Sequence, residues 1–155
     1  MSLIVLAFFI GVVAGLRALT PLAAVSWAAR FGWLPLGGSW LAFMGYTWTP
    51  WVLSLLALGE LFNDKLPKTP SRKVPAQFAT RIVTGAVAGA AFGIATSSSI
   101  VGAIAGALGA VAGTLGGAEA RSRLTNAIGG KDLPIALLED FITVMSALLI
   151  VRQLA

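Results

Sequence analysis

The chain contains no cysteine and no histidine. That excludes disulfides, thiolate nucleophiles, the usual zinc ligand sets and imidazole proton relays. With no histidine base, triad hydrolysis is excluded as well. Charge is also scarce. Asp, Glu, Lys and Arg make up 11% of the residues, against about 25% in a soluble domain. No cofactor is implied, and no enzymatic activity is expected.

Apolar surface takes the place of charge. Hydrophobic residues make up 57% of the 155, more than one small domain can hide from water. A single integral membrane domain over residues 1–155 follows. The net charge is +5, but the basic residues sit in short loops between apolar runs. That is the positive-inside pattern of a membrane protein and does not point to nucleic acid. Met1–Gly15 lacks a basic leader region, so it is expected to be a retained first membrane helix and not a cleaved signal.

The densest polar stretch is Gly59–Pro75, GELFNDKLPKTPSRKVP, with six of the 17 charged residues and three of the seven prolines. Its residues Lys65, Pro67, Thr69, Pro70, Ser71 and Arg72 form a Pro-rich basic knot, expected at the cytoplasmic surface, where Ser71 is placed to cap the next helix. The first span is expected over Ser2–Arg30, kinked or broken near Arg17–Pro21, because Pro21 lacks an amide hydrogen. All five tryptophans lie between Trp27 and Trp51. Residues 31–50 therefore suggest an aromatic interfacial loop or a short re-entrant turn. Further spans are expected over Trp48–Asn63, Gln77–Thr96, Ser99–Ala118 and Pro134–Val151, with Glu119–Leu133 as a second polar loop.

The spacing of the glycines is regular. Gly85, Gly89 and Gly93 recur every fourth residue, as do Gly102 and Gly106, and Gly109, Gly113 and Gly117. Residues four apart share a helix face, and glycine lets backbones approach closely. This predicts glycine-zipper packing of the third and fourth spans, or a homodimer through a glycine face. Eight of the eleven basic residues fall on the side of the two polar loops. The resulting fold class is an all-α polytopic bundle of about five spans, with the N-terminus cytoplasmic and the C-terminus outside.

Ionisable residues at membrane depth are the candidates for chemistry, because a charge at the bilayer centre costs at least about 2.5–3.5 kcal/mol. They are Arg17, Glu60, Asp64, Glu139 and Asp140, with Glu119 nearby. Either they line a wet path for an ion or small solute, or Arg17 pairs with Glu60 or Glu139 and the cluster is structural. Oxygen ligands would suit a hard cation or a proton. In the structural case the basic loops meet anionic lipid or a partner protein.

GLRALTPLA (Gly15–Ala23), the Gly59–Pro75 stretch, RIVTGAVAGAAFG (Arg81–Gly93) and ALLED (Ala136–Asp140) resemble the bacterial membrane proteins called domain of unknown function 4126. The resemblance spans nearly the whole chain. It implies a small multi-span inner-membrane protein with no assigned activity.

Overall fold

The first helix stops at Arg17, whose backbone is extended (φ −144°, ψ 120°). A second helix starts at Thr20 with Pro21 in its first turn, where a missing amide hydrogen does no harm. The computed structural model describes residues 1–66, 71 and 73–155. Among them it has helices α1 (Leu3–Leu16), α2 (Thr20–Arg30), α3 (Thr49–Asn63), α4 (Pro75–Ile94), α5 (Ser99–Ala127) and α6 (Asp132–Arg152), with a 3₁₀ turn at Ala42–Gly45 and no strand. Pro67, Thr69, Pro70 and Arg72 of the basic knot lie outside the described residues.

The break near Pro21 is where the proline places it, but α2 does not carry the span onward. The indole Nε1 of Trp27 donates to Ser54 Oγ at 2.9 Å, and Glu60 accepts from the amides of Ala18 and Leu19. Helix α3 thus runs antiparallel to α2, towards the break. Leu22 on α2 shares a groove with Val87 on α4. Val25 and Ala28 share one core with Leu6, Ile10 and Phe92. Helix α2 therefore turns back beside the other helices towards the end where α1 began.

The remaining helices alternate. Glycines set their directions. A Cβ on Gly85 would lie 2.8 Å from Gly106 O, and one on Gly93 would lie 2.5 Å from Ser98 O, so α4 and α5 are antiparallel. Gly109 meets Phe8 and Gly113 meets Val12, so α5 runs parallel to α1. Six helices, and not five, run up and down. The α1–α2, α3–α4 and α5–α6 junctions share one end, which holds the charges. Leu3, Ile94, Val151 and Leu154 pack together at the other end with Leu34, Leu36, Leu41 and Met44. Both termini therefore lie at that second end, a correction to the expected opposite placement.

Residues 31–48 form an irregular cap on the end that holds the termini. Its leucines and Met44 point inward, while Trp40, Tyr46 and Trp48 are exposed. Ser26 Oγ ties α2 to Met44 O. The expected loop from Glu119 is helical to Ala127. Its alanine, arginine and leucine residues are good helix formers, and Arg123 pairs with Glu119 one turn back at 2.7 Å. The helix stops at Gly129 and Gly130, both at positive φ, where glycine is favoured. Ser71 caps no helix. It holds the Lys73 amide at 3.3 Å.

Polar groups are buried beside the apolar core, and the outside is apolar as well. The interior holds Arg17, Thr20, Ser26, Arg81, Thr84, Thr114, Asp140 and Thr143, while large apolar residues such as Leu55, Phe62, Ile100, Leu108, Phe141 and Leu149 cover the outside. Of the helices, α5 and α6 are long and apolar enough to cross a membrane.

Gly106 leaves no room for a side chain, since a Cβ there would lie 2.0 Å from Gly85 O, whereas Gly116 faces open space. Gly106→Ala is expected to cost about 1–3 kcal/mol by overpacking. Gly116→Ala, inside α5 but with room for the methyl group, should instead stabilise by about 0.5–1 kcal/mol. Thermal unfolding in detergent checks the pair.

Candidate functional site

A helix that ends in the interior leaves carbonyl groups without partners, and one that begins there leaves amides without them. The α1–α2 break produces both within four residues. At the end of α1, Gly15 O accepts from Arg81 Nη1 at 3.0 Å and from Thr114 Oγ1 at 3.4 Å. Leu16 O accepts from Arg17 Nη1 at 2.8 Å. Just before α2, Glu60 Oε1 and Oε2 accept from the amides of Ala18 and Leu19 at 2.7 and 2.8 Å. Cations thus stand at the negative end of one helix dipole and a carboxylate at the positive end of the other.

Arg17 is at the centre, with its side chain fully buried. Its Nε and Nη2 donate to Asp140 Oδ1 at 2.8 and 2.6 Å. Its Nη1 lies 3.2 Å from Asp64 Oδ2 and 3.5 Å from Glu139 Oε2. Lys65 Nζ donates to the second oxygen of Asp140. Arg81 Nη2 stands 3.8 Å from Asp64. Arg121 bridges Glu139 at 3.2 Å and Asp132 at 2.6 Å. The result is a layer of alternating charges reaching from the α1–α2 break to α3, α4, α5 and α6.

The five candidate residues Arg17, Glu60, Asp64, Glu139 and Asp140 all lie in this layer. Of the two expected partners of Arg17, Glu139 is in place at 3.5 Å and Glu60 is not. Arg17 is bound chiefly to Asp140, while Glu60 goes to main-chain amides. Glu119 is exposed and belongs to the α5 surface, outside the layer. Three members were missed as site residues: Lys65, Arg81 and Arg121. Arg81 carried a signal, because it sits four residues before Gly85 on the helix face that packs inward. Lys65 had been assigned to the surface knot, and Arg121 to a loop that proved helical.

No three of these carboxylates converge as a metal-binding group among the described residues. Of two grooves among the described residues, one adjoins the layer and the other lies towards the aromatic end. One, of about 180 Å³, lies between α5 and α6 and is lined by Leu16, Leu124, Ile135 and Leu138, with Arg121 and Glu139 at its edge. The other, of about 320 Å³, lies near Trp48, Leu22 and Val87. Arg17 lines neither.

This charged break carries the stretches around Arg17, Glu60 and Asp140 that resemble a known family, and the family described as domain of unknown function (DUF4126) matches residues 4–153. The chain belongs to the DUF4126 family. No curated protein matches it, and no solved structure does. The match covers all six helices of the DUF4126 chain except Leu3, the first residue of α1, so the charge layer lies wholly within the family region.

Removing one partner of a buried ion pair strands the other, at about 3–5 kcal/mol. Arg17→Met should destabilise the DUF4126 chain by about that much. Adding Asp140→Leu should recover more of the loss than adding Glu139→Leu, since Asp140 makes the shorter contacts. A double-mutant cycle on thermal or denaturant unfolding reads the difference.

Proposed function

We propose that this DUF4126 protein is a multi-pass protein of the bacterial inner membrane, not an enzyme, whose charge layer is a structural clamp. The observation that carries this reading is the complete engagement of Arg17: a fully buried guanidinium with every nitrogen bonded or ion-paired. A wet path for a solute would leave some of those donors to water. Neither described groove reaches them.

The membrane setting is supported by the many large apolar side chains exposed on the outside, with charged and hydroxyl groups buried inside an otherwise apolar core. Helices α5 and α6 span about 43 and 31 Å at 1.5 Å per residue, enough for the ~30 Å hydrocarbon core. Helices α1, α2 and α3 are shorter and reach from the aromatic end to the layer. Basic residues gather at the charged end, which is therefore assigned to the cytoplasm. With six alternating helices the N-terminus then lies outside, in place of the cytoplasmic N-terminus expected from five. The exposed Lys73, Arg123 and Lys131 would face anionic lipid or a protein partner there. The glycine rows are used up inside the chain, so a homodimer would meet through leucine and phenylalanine surfaces instead.

One observation favours a second reading, in which the layer opens to pass an ion or small solute. Helices interrupted at charged groups inside the bundle are a transporter trait. Beside the break, the buried hydroxyl of Thr20 has no hydrogen-bond partner among the described residues.

Flux into reconstituted vesicles, over a panel of cations and organic anions, decides between the two. The clamp predicts that wild type and Arg17→Ala both match empty vesicles, with the variant losing thermal stability. Saturable flux that disappears in a folded Arg17→Ala would overturn it. Tags on the two termini are expected to react from outside the cell, and labelling of either from the cytoplasmic side would refute the six-helix orientation.

A further inference from the structure

Three carboxylates of the layer stand beside cations. Asp64 is 3.2 Å from Arg17, Glu139 is 3.2 Å from Arg121 and Asp140 is 2.6 Å from Arg17. Glu60 differs. Among the described residues it has no ion pair, and both its oxygens are spent on the amides of Ala18 and Leu19. An ionised carboxylate accepts through both oxygens, whereas a protonated one must place a donor hydrogen on one of them. Two N–H groups facing one carboxylate therefore suit its charged form alone.

The attachment matters because α3 is held at few places. It packs on α2 and on the 3₁₀ turn. At the aromatic end Trp27 bonds Ser54 and stacks edge-on against Trp51. At the charged end the helix is tied to the break by Glu60 and, through Asp64, to Arg17 and Arg81. Gly59 has open space around it, and Leu58 and Phe62 point outward, so little packing supports Glu60 from the far side.

We propose that Glu60 is a proton-binding site that latches α3 to the α1–α2 break. The ionised carboxylate holds the two amides. Proton uptake turns one oxygen into a donor, releases an amide and frees the charged end of α3 to move away from the break. The charged groups around it are Asp64 and Lys65 on its own side, Arg17 at the break, Arg81 on α4, and Glu139 and Asp140 on α6. Helix α2 presents only backbone at this end, since its one charged residue, Arg30, is at the other. Asp64, Glu139 and Asp140 each have a cation within 4.0 Å, whereas Arg81 acts on Glu60 only from farther away. The latch adds a release mechanism to the clamp read above, and its test does not depend on flux.

The test is amide hydrogen exchange on the full chain in lipid nanodiscs, over acidic to alkaline pH, with protection corrected for intrinsic exchange at each pH. Peptides covering Ala18 and Leu19 should be protected at high pH and lose about ten- to a hundredfold of that protection as pH falls, the scale of one hydrogen bond to a charged group. In Glu60→Gln the protection should be low and flat with pH. In Asp64→Asn the transition should remain. A wild-type profile without a transition, or the same transition in Glu60→Gln, overturns the proposal. A second measurement leaves Glu60 in place. Spin labels on Phe62→Cys and Val83→Cys, both at exposed sites in a chain with no native cysteine, report the α3–α4 distance. It should lengthen on acidification, and an unchanged distance also overturns the latch.

Discussion

A guanidinium buried away from water must find partners for all its donors, and this requirement organises the charged end of the molecule. Arg17 sits where α1 stops, so its own backbone is part of the difficulty it helps to solve. Its Nη1 covers the carbonyl of Leu16 and faces Asp64 and Glu139, while Nε and Nη2 hold Asp140. These carboxylates come from the end of α3 and from α6. A single side chain thus fixes how three separate parts of the sequence approach one another. Arg81 extends the same logic to α4 by holding both Gly15 O and Asp64.

Away from that end, close contact replaces charge. Helices α1, α4 and α5 meet backbone to backbone through Gly11, Gly15, Gly85, Gly89, Gly102, Gly106, Gly109 and Gly113. Backbone-to-backbone contact through small residues is the packing that helix pairs use in lipid, in keeping with the membrane setting proposed above. Glycine supplies that contact, and the bulky side chains are left for the exterior. The two devices divide the labour. Glycine contacts set how near the helices lie, and the ionic layer sets their register along the bundle axis.

Much of this could be read from the residues. The period-four glycines gave the α4–α5 contact, Pro21 gave the break, and scarcity of charge singled out Arg17, Glu60, Asp64, Glu139 and Asp140. What could not be read was direction. A proline after an arginine indicates that the helix stops, but not whether the chain then goes on or turns back. That choice rests on contacts with Val87 and Glu60, far along the chain. Partner choice within the layer was equally hidden, because Glu60 and Asp140 are both carboxylates and only their distance from Arg17 separates them. Glu119–Ala127 was misjudged for a different reason: polarity was taken as a sign of loop, although the residues themselves favour helix.

The pairing of Arg17 with Asp140 crosses 123 positions of sequence, and the chain is synthesised from one end. When the first hairpin has been made, its cation has no counter-charge, because Asp64 lies well beyond the end of α2 at Arg30. The final partner arrives only with the last helix. Assembly therefore closes in two stages: Asp64 can meet Arg17 once α3 is made, but Glu139 and Asp140, which complete its shell, exist only after α6.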